Sequence, residues 1–226
     1  MFLFILIILL IIILFLCIIN KNKLTSDYTK HKIGVIITTH GNNGRLLTKC
    51  LDNFIYYLPK NSYIVLYVNE STDPITLSIK NKYPTIEYIF INDQITNGGL
   101  TGTWNQGIDK CIENNCKIII ISNDDLYINY TIRNMIKLCI DNYNLPYYYG
   151  PISNNFKSKK LNIYQQIKYY DNNSFIIHNN LHGFFMMFPI HVLIKNKYDK
   201  YHYFNPKYQF EGNEVEWYKR FKKKKR

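Results

Sequence analysis

Runs of aliphatic residues, each stopping on a cluster of small polar or acidic residues, recur between Lys32 and Leu126 of this 226-residue chain. Lys32 to Thr38 (KIGVIIT), Ser62 to Val68 (SYIVLYV), Ile86 to Asn92 (IEYIFIN) and the apolar part of Lys117 to Leu126 (KIIIISNDDL) each predict a strand buried on both faces. A strand with one wet face would instead alternate apolar with polar. Between the first two runs, Leu46, Leu47, Cys50, Leu51, Phe54 and Ile55 fall at helical spacing, predicting a helix over Arg45 to Tyr57. A short helix is expected up to Lys82 and another from the glycine-rich stretch up to about Asn114. Strands alternating with helices in this way predict an α/β fold with a doubly wound, mostly parallel sheet.

In such sheets ligands bind in the crevice outside the carboxyl ends of the strands. Each polar cluster falls at such an end, so one crevice collects Thr38-Thr39-His40-Gly41-Asn42, Asn69-Glu70-Ser71-Thr72-Asp73, Asn97 to Ile108, and Asn123-Asp124-Asp125. The last trio offers hard oxygen ligands suited to Mg²⁺ or Mn²⁺. Alternatively, Asp124 or Asp125 caps the helix that follows. Glycines in the third cluster let backbone approach a ligand, and amides at a helix start favour a diphosphate.

Past Asn142 the periodicity fades. Tyr143 to Asn180, rich in Tyr, Asn and Lys, suits short strands and loops. His182 to Pro189 (HGFFMMFP) predicts another strand, with His182 either beside a core strand or touching a phosphate or metal. Phe204-Asn205-Pro206 and Phe210 to Arg220 follow, with Asn213 and Glu216 at the spacing of a capping box.

Met1 to Ile19 carries no charged side chain and is almost wholly Ile, Leu and Phe. That is close to the roughly 20 residues that cross a bilayer as a helix. It is expected to be an uncleaved transmembrane anchor: no basic residues precede the apolar core, and Cys17-Ile18-Ile19-Asn20 lacks the small residues of a cleavage site. Residues 20–31 then form a linker. Lys21, Lys23, Lys30 and Lys32 follow the segment, which places the rest of a single-pass membrane protein in the cytosol. Sequons at Asn69, Asn129 and Asn172 lean the same way, since a glycan on Asn69 would obstruct the crevice. Cys50, Cys111, Cys116 and Cys139 read as reduced structural thiols; Cys111 and Cys116 also fit a disulfide, a weak metal pair, or a helix face and its turn.

The formal charge of +12 is concentrated: Lys219, Arg220, Lys222 to Lys225 and Arg226 supply seven, leaving +5 elsewhere. Residues 219–226 read as a basic tail, resting on an anionic membrane surface or simply solvated. Nucleic acid is not an expected partner, because no base-reading module accompanies the charge and the aromatics are scattered.

Taken in order, TTHGNN, VNESTD, NGGLTGTWNQGI and SNDDL resemble the nucleotide-sugar half of family 2 glycosyltransferases of GT-A fold. The resemblance covers about Lys32 to Asn142 and, more loosely, a C-terminal stretch. It implies one domain over 32–218, with a nucleotide-sugar half (32–142) and an acceptor half (143–218). It also implies a nucleotide-diphosphate sugar as donor, Mn²⁺ or Mg²⁺ as cofactor, and a glycan, lipid-linked or protein acceptor. Thr38 and Thr39 match the loop that holds the nucleobase, and Glu70 the acid that recognises it, with Asn69 in place of the preceding acid. Gly99, Gly102, Asn105 and Gly107 match the loop and helix start lining the nucleoside. At the metal motif Asn123 takes the first Asp position and Asp125 the last. This makes Asp125 the principal ligand and Asp124 a support or cap, and the departure weakens the expected affinity.

The C-terminal stretch resembles the segment where that family keeps its catalytic base at a helix start. Glu214-Val215 stands where two acids are usual, so the base is assigned to Glu214 first, with Glu216 or Glu211 behind it. The implied activity is an inverting, metal-assisted glycosyl transfer. The alternatives are a degenerate member that binds nucleotide or glycan without turnover, and a basic membrane-surface or nucleic-acid adaptor resting on the tail.

Overall fold

The computed structural model describes residues 8, 11–12, 30–40, 43–150 and 183–223. The expected anchor over Met1 to Ile19 lies outside them, apart from Ile8, Ile11 and Ile12, which are helical. Among the described residues no helix is long and apolar enough to cross a membrane. His182, the sequon at Asn172 and most of Tyr143 to Asn180 also lie outside.

The strands form where the apolar runs predict them: β1 (Ile33–Thr39), β2 (Tyr63–Asn69), β3 (Glu87–Ile91) and β4 (Ile118–Asn123). They join a fifth, β5 (Phe185–Pro189), in one sheet of order β3-β2-β1-β4-β5. The first four are mutually parallel, whereas β5 runs antiparallel to β4, pairing Ile118 with Pro189 and Ser122 with Phe185.

Between the parallel strands lie α1 (Gly44–Tyr57), α2 (Pro74–Lys82) and α3 (Gly99–Glu113), and after β4 comes α4 (Thr131–Asp141). A short α5 (Ile190–Lys195) follows β5, and α6 (Asn213–Lys223) ends the described chain.

Period-two alternation divides the core. Val35, Ile37, Leu66 and Ile120 point to the face covered by α1 and α4, through Leu47, Leu51, Phe54, Ile132 and Ile136. Ile36, Val65, Tyr67, Ile119 and Ile121 point to the other face and meet Trp104 and Ile108 of α3, then Phe188, Phe204 and Trp217. On that second face α3 lies tight on the sheet. A Cβ at Gly107 would sit 2.6 Å from Ile36 Cγ2, so a larger residue would force the helix outward.

Two expectations are corrected here. Asp124 and Asp125 cap no helix, because α4 starts six residues later at Thr131 and Tyr130, ahead of it, makes no side-chain cap. Of the basic tail drawn from Lys219, the described residues 219–223 fall inside α6, where Phe221 is buried and Arg220 is bonded inward. The four described thiols are free and buried, with no disulfide between Cys111 and Cys116.

Candidate active site

The carboxyl end of β2 is held by its own acidic motif. Asp73 Oδ2 accepts from Thr76 N (2.9 Å), Thr76 Oγ1 (2.7 Å) and Gly44 N (3.1 Å), so one carboxylate ties the starts of α1 and α2 together. The Thr76 bonds hold its pKa below the usual carboxylate value. Upstream, Asn69 is buried and its Oδ1 has no partner. Glu70 takes a left-handed φ of 50° that lets its N–H reach Ile91 O (2.9 Å). Its Oε1 accepts from Gln94 N at 2.7 Å, and Gln94 O accepts from Gly99 N at 2.8 Å. Glu70 thus stands exposed at the end of β2 and is linked through the 92–98 turn to the start of α3.

The ends of β1 and β4 are registered side by side, Thr38 opposite Asn123. By the sheet's alternation these two face α3 and α6, while Thr39 and Asp124 turn towards α1. The Thr39 hydroxyl donates to Asp124 Oδ2. Burial pushes the Asp124 pKa above the usual carboxylate value, partly opposed by that hydroxyl. Burial, reinforced by the Asp124 charge, raises the Cys50 thiol to about 12. Asp124 is therefore a half-buried bracket between two strand ends. Asp125 stands exposed one residue on.

The acceptor-side chain is fastened to α3. Asn105 is 5% exposed; its Oδ1 accepts from Tyr203 N and Phe204 N (both 2.9 Å) and its Nδ2 donates to Phe204 O (3.1 Å). That arrangement corrects the expectation that Asn105 lines a nucleoside: both ends of its amide are engaged by backbone. One turn earlier, Thr101 N donates to Gln209 O (3.1 Å) and Asn213 Nδ2 to Thr101 Oγ1 (2.9 Å). Gly99, at φ 67°, lies so close beneath this strand that a Cβ would be 2.6 Å from Gln209 O.

These ties deliver Glu211 and Glu214 to β4. Asn123 N donates to Phe184 O (3.0 Å), and a Cβ on Gly183 would lie 3.2 Å from Glu214 Cδ. The result is an open cavity of about 440 Å³ lined by Asn123, Glu211, Glu214, Trp104, Phe184 and Phe210, among others. The sequence reading singled out the first three; the aromatic walls went unnoticed, although Phe210 directly precedes Glu211. Trp104 is 1% exposed and its indole N–H has no hydrogen-bond partner.

Glu216 points elsewhere. It pairs with Arg220 (Oε1 to Nε, 2.7 Å), and Arg220 also donates to Asn196 O and Tyr203 O. That corrects its place among the candidate bases, since its carboxylate is committed to an ion pair inside the fold. The capping box is not formed either: Asn213 lies in α6 and its Oδ1 accepts from the adjacent Glu214 N.

Asn123, Asp124 and Asp125 fit a divalent ion only in one way. Among the described residues no three His, Cys, Asp or Glu side chains gather to cage a metal. Asp125 can hold an ion that completes its shell with water and substrate phosphates, as Mg²⁺ commonly does.

A mostly parallel five-stranded sheet with an antiparallel edge strand, and polar residues at its carboxyl ends, fits a GT-A-like fold. The crystal structure of S. aureus TarS 1-349 shares it (TM-score 0.57, 18% identity over 84% of this chain), as does the same protein in complex with UDP (TM-score 0.56, 18% identity, 84%). A cytidylyltransferase from Leptospira borgpetersenii serovar Hardjo-bovis is similar over 86% of this chain and 73% of its own (TM-score 0.50, 14% identity). The chain spans 55% of each of the two TarS structures. No family model matches the sequence, and no curated protein matches it.

Proposed function

We propose that this protein transfers a sugar from a nucleotide-diphosphate donor to an acceptor hydroxyl, with inversion at the anomeric carbon. One observation carries the reading: Glu214, at the start of α6, and Asn123, at the end of β4, line a single cavity beside the polar strand ends. Glu70 and Asp125 end strands two places apart, roughly 10 Å, a span suited to a nucleoside diphosphate lying across them. In this reading Glu70, Asn69 and Thr38 border the nucleoside. Glu214 takes the proton of the acceptor hydroxyl as that oxygen attacks from the face opposite the diphosphate; Glu211 is the second carboxylate in reach of the cavity. A Mn²⁺ or Mg²⁺ held by Asp125 would supply positive charge to the departing diphosphate.

The acceptor is a glycan, lipid-linked or protein hydroxyl. Met1 to Ile19 tethers the domain to a membrane in a single pass, with the domain on the cytosolic side. The burial of Asn69, which leaves no room for a glycan on its sequon, and the four free thiols support that side.

The test is transfer from a panel of UDP, GDP and dTDP sugars by full-length protein in detergent. Asp125→Asn and Glu214→Gln should each abolish transfer without shifting the thermal midpoint; full activity in both variants would sink the assignment. Asn123, standing where the related motif has an acid, favours a second reading in which nucleotide binds without turnover. Nucleotide binding with no donor hydrolysis at any Mn²⁺ concentration would select it.

A further inference from the structure

We infer that the acceptor is an uncharged sugar ring, docked on Phe210 and Phe184 between the Glu211 and Glu214 carboxylates. The inference rests on the glycosyltransferase reading and names the acceptor class that reading leaves open. Three features of the cavity lead to it. Its described lining holds two carboxylates and no Lys, Arg or His, in a chain whose formal charge is +12. A phosphorylated acceptor entering there would meet negative charge with no counter-ion among the described lining residues. The walls are about half apolar, with Leu100, Trp104, Phe184 and Val215 joining Phe210.

Phe210 is 45% exposed although it touches the cavity, so one ring surface stays wet at the mouth. A pyranose presents C–H groups on one face and hydroxyls on its rim. Its face would cover Phe210 as apolar surface leaves water, and its hydroxyls would donate to Glu211 and Asn123. The hydroxyl nearest Glu214 is then the one that loses its proton. Carboxylates accept hydrogen bonds but give none, which favours a neutral polyol over a phosphate oxyanion. At about 440 Å³ the space falls within the roughly 300–1,000 Å³ of small-ligand clefts.

The experiment uses full-length protein in detergent with UDP and Mn²⁺ or GDP and Mn²⁺ present. Ligand-observed saturation-transfer NMR compares methyl hexopyranosides and short neutral oligosaccharides with hexose phosphates and farnesyl phosphate. Neutral glycosides should show saturation transfer and phosphorylated ligands none. Phe210→Ala should weaken the glycoside signal at least five-fold, and Glu211→Lys should admit hexose phosphates. Signals from the phosphorylated ligands alone, or a glycoside signal untouched by Phe210→Ala, would overturn the inference. Nucleotide binding measured separately by calorimetry distinguishes the two levels. Nucleotide that binds while neutral glycosides do not removes this inference and leaves the glycosyltransferase reading standing; no binding of any nucleotide removes both.

Discussion

Glu214 and Glu216 sit two residues apart and are given different work by what surrounds them. Glu214 faces the cavity, so Glu214→Gln should lower kcat by about 10²–10⁴, the usual worth of a general base, with an unchanged thermal midpoint. Glu216 carries the ion pair that seats Arg220 against the carbonyls of Asn196 and Tyr203. Arg220→Ala strands that carboxylate, already short of a partner at Oε2. The change should cost about 3 kcal/mol by urea unfolding, near the low end for a broken buried pair because both groups keep some solvent. Sequence spacing could rank the two acids by position but not by partner, since Asn196 and Tyr203 belong to loops that meet α6 only in three dimensions. The same applies to Asp124: as a half-buried bracket it should accept Asn with little loss of stability, because the amide keeps an oxygen for Thr39 and sheds a partly desolvated charge.

Among the elements, α3 is the spine of the site. Gly99, Thr101 and Asn105, at its first two turns, each hold a piece of the 203–213 segment. Asn105→Ala should leave two buried N–H groups and one carbonyl unpaired, costing about 3 kcal/mol in urea unfolding. It should also raise the acceptor KM by loosening Phe210. β1, β2 and β4 were legible in advance because each run is apolar on both faces, and α1 because it keeps its period; β3 also follows an apolar run, yet it is an edge strand with no fully buried residue. The direction of β5 was not legible, since an apolar run of five residues pairs equally well either way. Nor was the fate of the glycine-rich cluster: its spacing resembles a ligand loop, yet Gly107 serves the packing of α3 on Ile36.

For the molecule as a whole, charge and burial set the response to pH. His31 packs tilted and His191 edge-on against Tyr143, and each has a buried ring nitrogen without a partner. Burial is the main cause lowering both pKa values below the ordinary value of about 6.5. Depressed values keep both rings neutral in the fold, whereas the unfolded chain takes up protons as pH falls below about 6.5. Their contribution to stability is therefore intact above that pH and is lost as pH drops towards the folded values. The thermal midpoint should fall between pH 7.5 and 5.5, and the double variant His31→Asn, His191→Asn should flatten the slope. In native protein, Cys50 and Cys139 should resist iodoacetamide and become alkylated only in denaturant, because burial raises both thiols.

The position of β5 in the chain has a further consequence during synthesis. Its residues are made more than sixty positions after β4, so a nascent chain emerging from the ribosome carries β1 to β4 with one flank of β4 bare. Unpaired backbone along a strand that opens with four isoleucines invites pairing with a neighbouring polypeptide. Chaperone demand should therefore peak while residues 124 to 185 are being translated, and ease once Phe185–Pro189 closes the flank.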